Sequence, residues 1–299
     1  MYRKILVGYD GSDHAKDALT LGRELSDATG AELCLGGVLL FAVPMHPTAA
    51  PIDPDARQAF AESLTNAARA VGATAYPVLG TSAARGLHEL AEAIEADLVV
   101  VGSSRHGTLG QALLGNVGAA LMHGSPCAVG VAPADYRDRT SGTISRLVVG
   151  FDGSAESELA LEAAIQLARD TGAQLSIVAI AKPPDRGTGK GDGGWRAIKE
   201  VIEEQTRDAL SRAARSVPND IVAEPVLISG DPAKLLSDAV DEPGSVLVVG
   251  SRAYGPVRRV LLGSVSRLLA RSAPAPLIVH PRGMHERVGE PESAYAHTA

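Results

Sequence analysis

The chain carries one pattern twice, and that repeat limits its fold more than any other feature. Lys4–Ser12 (KILVGYDGS) matches Arg146–Ser154 (RLVVGFDGS) at an offset of 142 residues. Ala18–Leu19 match Ala160–Leu161, and Thr29–Ala31 match Thr171–Ala173, at the same offset. Further on the offset is 148: Gly102–Ser103 match Gly250–Ser251, Leu113–Gly115 match Leu261–Gly263, and Pro126 matches Pro274. Self-similarity at a fixed period means that one structural unit is built twice. The residues that the second copy gains are placed in the Gly-rich stretch Arg186–Gly194.

Each copy alternates strand and helix patterns. Lys4–Tyr9 reads as a buried strand and His14–Thr29 as an amphipathic helix, with Gly30 just past its end. Glu32–Phe41 is a second strand. The run Pro44–Pro54 (PMHPTAAPIDP) admits no helix. A helix over Ala56–Val71 leads to a third strand over Ala73–Leu79. A helix over Ala84–Glu95 leads to strand four over Asp97–Gly102, and a helix over Leu113–His123 leads to strand five over Cys127–Val131. The second copy follows the same course to Leu277–His280. Near-continuous Val, Leu and Ile strands between amphipathic helices predict parallel sheets covered on both faces. The expected fold is α/β: two tandem open parallel five-stranded sheets with helices on both faces. The expected domains are 1–133 and 146–281, with 134–145 as a polar linker and 282–299 as a mobile tail poor in apolar residues.

Composition narrows the function. Of 299 residues 45% are hydrophobic but only 3% aromatic, so aliphatic side chains must fill the core. A net charge of −7 argues against a nucleic-acid surface, which needs a basic stripe, but not against a small anion held by local N–H groups. Cys34 and Cys127 both lie in apolar runs and read as buried thiols. His14, His88, His106 and His123 show no metal-ligand spacing and read as surface or structural residues. No apolar run approaches the roughly 20 residues of a membrane span, and the N-terminus enters a strand at once. A cytoplasmic protein that binds neither membrane nor nucleic acid is expected.

The stretch Val246–Leu268 (VLVVGSRAYGPVRRVLLGSVSRL) is the candidate site. A buried strand ends at Gly250, a loop follows, and Gly263–Ser264 open a helical segment. Glycine lets a backbone approach phosphate closely, and free N–H groups at a helix start point at the anion. Ala253 lies three residues after Gly250. The first copy places Gly102, Arg105 and Gly115–Asn116 at the same spacings. GTGKGDGG, 187–194, lacks the spacing of a P-loop and reads as a flexible loop. Trp195 reads as a loop anchor. No nucleophile elbow and no Ser-His-Asp set is recognisable.

Asp-Gly-Ser after the first strand, joined with GSR…LLGSVSRLL late in the same unit, resembles the universal stress protein family. The tandem arrangement is similar to its two-domain members, and the likeness covers both repeats. It implies an adenine-nucleotide alpha-hydrolase-like fold, with each five-stranded sheet in the order 3-2-1-4-5. The family's nucleotide-binding members carry Gly, two residues, Gly, nine residues, then Gly followed by Ser or Thr. Repeat two keeps Gly250, Gly263 and Ser264 but has Ala253 in the second slot. Repeat one keeps Gly102 and Gly115 but has Arg105 and Asn116 in the others. Ala253 is the mildest change, costly only where the slot needs φ > 0 or very close approach. The Arg105 guanidinium could itself pair with phosphate. The resemblance also implies that Asp10 and Asp152 hold ribose hydroxyls, and that the backbone at Val38 and Ile180 meets adenine. In a 3-2-1-4-5 sheet the order reverses between strands one and four, and ligands bind beyond their carboxyl ends. Asp10 with Gly102, and Asp152 with Gly250, would meet there.

Plainer roles compete with these. Asp10 and Asp152 each precede Gly-Ser and could serve only a turn and helix cap. Ser264 could be a cap alone. Gly250 and Gly263 could be packing glycines, and Arg252, Arg258 and Arg259 a solvated face. The resemblance implies a stress-response regulatory module that binds ATP or a related adenine nucleotide, with or without Mg, mainly in repeat two. A slow ATPase and a scaffold with degenerate sites are the alternatives. No catalytic residue and no resident metal ligand is evident. The last strands, Val129–Val131 and Leu277–Val279, would be open sheet edges that invite pairing. The resemblance implies a contact between them, a pseudo-dimer of the two domains, and a homodimer of the chain is the simplest further assembly. No protein partner is named by the sequence.

Overall fold

The structure, a computed structural model, describes residues 2–41, 53–105, 112–113, 115–122, 124–183, 192–251, 264–272 and 274–281. The expected tail 282–299 and most of the Gly-rich stretch therefore lie outside the described residues.

The first half runs β1 (Lys4–Gly8), α1 (Asp13–Thr29), β2 (Glu32–Leu40), α2 (Pro54–Ala70), β3 (Thr74–Gly80), α3 (Ala83–Ala93), β4 (Leu98–Gly102), the two-residue strands β5 (Ser104–Arg105) and β6 (Ala112–Leu113), α4 (Asn116–Leu121) and β7 (Ala128–Ala132). A short helix, α5 (Tyr136–Arg139), joins it to the second half. There follow β8 (Arg146–Phe151), α6 (Ala155–Thr171), β9 (Gln174–Ala181), α7 (Asp192–Ser216), β10 (Ala223–Ser229), α8 (Pro232–Asp238), β11 (Ser245–Gly250), α9 (Ser264–Ser272) and β12 (Leu277–His280). Local chemistry sets the matching helix ends. Ser12 and Ser154 cap α1 and α6 by accepting the N–H of Ala15 and Ser157. Gly30 and Gly172, both at φ +71°, end the same helices in the left-handed conformation that glycine adopts without strain.

The strand order within each half is the expected one, but the two sheets are not separate. All ten long strands form one sheet in the order β10-β9-β8-β11-β12-β7-β4-β1-β2-β3. Neighbours run parallel within each half, and β12 meets β7 antiparallel, with Leu277 opposite Val131 and Val279 opposite Val129. The physical reason lies in the edges. A fifth strand left at the end of its sheet has a row of unpaired backbone groups, and each half supplies the other's missing neighbour. The outer edges differ: β3 and β10 carry Pro77 and Pro225 mid-strand, at the repeat offset of 148. Proline offers no N–H to a further strand, so these edges resist extension.

Both faces are covered. On one, apolar residues of α1, α2, α6 and α7 pack on alternate strand positions such as Ile5, Val7, Leu147 and Ile278. On the other, α3, α4, α8 and α9 pack on Leu6, Val99, Val148 and Val279. Each layer takes residues from both halves.

Two local expectations are corrected, and the expected linker has structure of its own. The helix expected over Leu113–His123 is only Asn116–Leu121, preceded by the β5–β6 pair. Helix α7 begins at Asp192, within the run read as a loop, and places Trp195 in its first turn; its packing along β9 and β10 supports a helix longer than the sequence pattern implies. The polar stretch 134–145 is not a free connection. Asp17, buried on α1, accepts the N–H of Asp135 at 2.9 Å and of Arg137 at 3.1 Å, so it caps α5 from another helix. Glu24, also buried on α1, accepts hydrogen bonds from the hydroxyls of Tyr136 (2.5 Å) and Thr140 (2.7 Å). No helix among the described residues is long and apolar enough to cross a membrane.

Candidate functional site

Two clefts open at the carboxyl ends of the central strands, one in each half, where the strand order reverses. The second has a volume of about 470 Å3 and is lined by Asp152, Ile180, Gly250, Ser251, Val265 and Ser266, among others. The first has a volume of about 190 Å3 and is lined by Asp10, Val38, Gly102, Gly115, Asn116 and Val117, among others. Counterpart residues line both: Asp10 and Asp152, Ser12 and Ser154, Val38 and Ile180, Gly102 and Gly250, Val117 and Val265.

Local structure explains how each residue arrives. Asp10 accepts the backbone N–H of Ser12 at 3.0 Å, and Asp152 that of Ser154 at 3.0 Å. The glycine between them, Gly11 at φ +80° or Gly153 at φ +79°, makes the turn. Asp152 Oδ1 also accepts the Ser154 hydroxyl at 2.5 Å. The carboxylates therefore do brace the turn before the helix, as the plainer reading has it. Both remain exposed, and a carboxylate has about four acceptor positions, so bracing leaves capacity for a ligand.

Gly102 and Gly250 are also placed by packing. A Cβ on Gly102 would collide with the backbone carbonyl of His14, and one on Gly250 with that of Glu156. Each strand end thus lies against the first turn of α1 or α6, a closeness that only glycine permits. Gly115 stands at the N-cap of α4 with Asn116 as its first residue.

Of the residues the sequence singles out, the structure gathers Asp10, Val38, Gly102, Gly115 and Asn116 at the first cleft, and Asp152, Ile180 and Gly250 at the second. Arg105 is placed only as backbone in β5, and its side chain lies outside the description. Ser264 opens α9, its side chain likewise outside. Ala253, Gly263, Arg252, Arg258 and Arg259 lie outside the described residues altogether.

Other lining residues escape a motif-based reading. The second cleft holds Glu156, Ser157, Ser251 and Ser266, all buried, and Lys182, whose ammonium lies 3.8 Å from Asp231. The first holds His14, whose Nδ1 is buried without a hydrogen-bond partner among the described residues. The signal that could have found His14 and Glu156 is the second residue after Asp-Gly-Ser, read in both repeats together. Among the described residues no group of three or more His, Cys, Asp or Glu is placed to hold a metal ion.

The model of the Universal stress protein family matches residues 1–133 and again 143–281. A universal stress protein of Mycobacterium tuberculosis is 29% identical over 210 residues, which cover 67% of this chain and 69% of that protein. The universal stress protein YxiE of Bacillus subtilis is 27% identical over 144 residues, 45% of this chain but 97% of its own length. A protein of about one repeat is thus matched almost whole. The crystal structure of a universal stress protein from Archaeoglobus fulgidus shares the fold, with a TM-score of 0.63 at 22% identity, over 95% of this chain and all of that one.

Proposed function

The chain belongs to the universal stress protein family, and we propose from that premise that it is a stress-response regulatory protein holding ATP or a related adenine nucleotide in its second cleft. The observation that supports this most is the cleft's size with its lining. About 470 Å3 falls within the roughly 300–1,000 Å3 usual for a small-molecule site, and Asp152, Ile180 and Gly250 border it together. Asp152 would accept the ribose hydroxyls, the backbone at Ile180 would meet adenine, and Gly250 with the start of α9 would present N–H groups to phosphate. Ala253, Gly263 and Ser264 belong to the same proposed cradle. Any Mg would arrive on the nucleotide's own phosphates, since Mg2+ is commonly held by one or two carboxylates plus substrate oxygens.

The first cleft, with Asp10, Val38, Gly102, Arg105, Gly115 and Asn116, is the weaker ATP site in this reading. Its volume of about 190 Å3 lies below the same usual range. The reading treats 1–133 and 146–281 as two domains of a pseudo-dimer joined at β7 and β12, in a cytoplasmic protein free to form a homodimer of the whole chain.

Isothermal titration with ATP tests the assignment. Asp152→Ala is expected to weaken binding about tenfold or more, the scale of a lost hydrogen-bonding pair to a ribose, while Asp10→Ala leaves it largely intact. The opposite pattern would reject the site. Mass spectrometry of small molecules released from the denatured, freshly purified protein identifies the nucleotide, and release of phosphate from ATP on long incubation would mark the protein as an ATPase instead.

A further inference from the structure

Where the two halves meet, Tyr2 of the first reaches His280 of the second. The Tyr2 hydroxyl lies 2.8 Å from His280 Nε2, the rings are stacked with centroids 6.0 Å apart at 15°, and both residues are buried. Tyr2 precedes β1, and His280 ends β12. Because β12 runs antiparallel to β7, the carboxyl end of the second half's last strand lies beside the amino end of the first half's. Burial, and then Cys127 and Asp97, raise the Tyr2 phenol well above its usual range, so it keeps its proton and can donate it to the imidazole.

His280 also holds part of the second cleft's wall. It stands opposite Gly250 in the β11–β12 pairing, and its carbonyl accepts the Ser251 N–H at 2.8 Å. Gly250 and Ser251 both line that cleft. The first half repeats this main-chain arrangement: Ala132 stands opposite Gly102 and accepts the Ser103 N–H at 2.9 Å. The side chains differ. Ala132 takes the place of His280 at the offset of 148, and Ile144 that of Tyr2 at the offset of 142. Both are buried in the apolar core. Apolar packing has no preferred direction, whereas a hydrogen bond fixes the position of both its partners.

From this asymmetry we propose that Tyr2 and His280 are positioning residues for the second cleft: the first half grips the end of β12, and through it the Gly250–Ser251 backbone, by a side-chain contact that Ala132 and Ile144 cannot make. Ligand binding in the second cleft then depends on the junction between the halves, and by linkage a ligand there steadies that junction. Only the ligand part rests on the adenine-nucleotide reading above; the hold on Ser251 does not.

Amide hydrogen exchange of the full-length, ligand-free protein, resolved residue by residue by NMR, is the first test. Tyr2→Phe is expected to speed exchange of the Ser251 amide about fivefold, the scale of one lost hydrogen bond, and to leave the Ser103 amide unchanged. His280→Leu does the same, and adding Tyr2→Phe to it has little further effect, as partners in one contact require. His280→Gln, whose amide oxygen can accept the phenol, retains part of the protection. A merely structural role would quicken both amides together or neither. Isothermal titration with ATP is the second test. Tyr2→Phe is expected to weaken binding about threefold, whereas Ile144→Val, at the apolar counterpart, lowers the melting temperature and not the affinity. Equal acceleration at Ser103 and Ser251, no change at Ser251, or additive effects of the two substitutions would each overturn the grip on the strand end. An ATP affinity unmoved by Tyr2→Phe, in a protein that binds ATP, would overturn the positioning role. If the unsubstituted protein binds no ATP, the reading of the second cleft fails, and the exchange rates still judge the contact.

Discussion

Gly250 shows how one residue can serve packing and site together. Its missing Cβ lets β11 end against the carbonyl of Glu156, and the same closeness leaves the strand-end backbone open to the cleft. Gly250→Ala is expected to destabilise the fold by about 1–3 kcal/mol, the usual cost of overpacking where the neighbour is rigid backbone. Urea denaturation measures it, and ATP titration of the folded fraction should show weaker binding as well. Cys34 is the opposite case, a residue whose chemistry is silenced by its place. Burial, and then the charge of Glu32, push its thiol from 9.0 up to about 12. The thiolate is the reactive form, so Cys34 should not react with a disulfide reagent in the native protein at pH 8, whereas both thiols should react in denaturant. The raised value also makes stability depend on pH. The contribution is whole below the ordinary thiol range and is lost as pH rises through about 12. A Cys34→Ser protein whose alkaline loss of stability is as large as the parent's would refute that assignment.

At the scale of elements, α5 is the instructive piece. Four residues make too short a helix to stand alone. It exists because Asp17 caps it and Glu24 receives its tyrosine, both from α1. Burial, and next the Glu24 bond, raise the Tyr136 phenol well above its usual range, so it remains a donor at neutral pH. Tyr136→Phe removes the donor and leaves a buried carboxylate oxygen without it, and should cost about 1–3 kcal/mol. Thermal melting measures the loss, and proteolysis should then cut first within 134–145. In sequence these acids pass for the polar face of an amphipathic helix. Their partners lie more than a hundred residues away, and nothing local announces them.

The whole molecule is one sheet because its inner edges are open and its outer edges are blocked. Main-chain groups on β7 and β12 find each other, while Pro77 and Pro225 break the N–H row of β3 and β10. Tethering both edges in one chain keeps their effective concentration high. Expressed separately, fragments 1–138 and 142–299 would expose those edges. They are expected to associate on mixing, or with themselves, by light scattering. Two fragments that remain monomeric would show that the β7–β12 pairing does not drive assembly.

What the sequence by itself determines is whatever recurs or acts over a few residues. The offsets of 142 and 148 carry the repeat, alternating apolar patterns carry the parallel strands, and Asp-Gly-Ser carries the turn and cap at Asp10 and Asp152. The 3-2-1-4-5 order followed from family likeness, and it placed Gly102 and Gly250 beside those turns. Tertiary structure alone decides the rest. It makes the contact expected between the last strands a continuous ten-stranded sheet, turns a polar connection into a docked helix, and makes the first cleft less than half the volume of the second. The reason is physical. Spacing along the chain encodes local conformation, but a hydrogen bond from the Asp135 N–H to the Asp17 carboxylate, or the contrast between His14 and Glu156, gains its meaning only when distant segments are brought within a few ångströms.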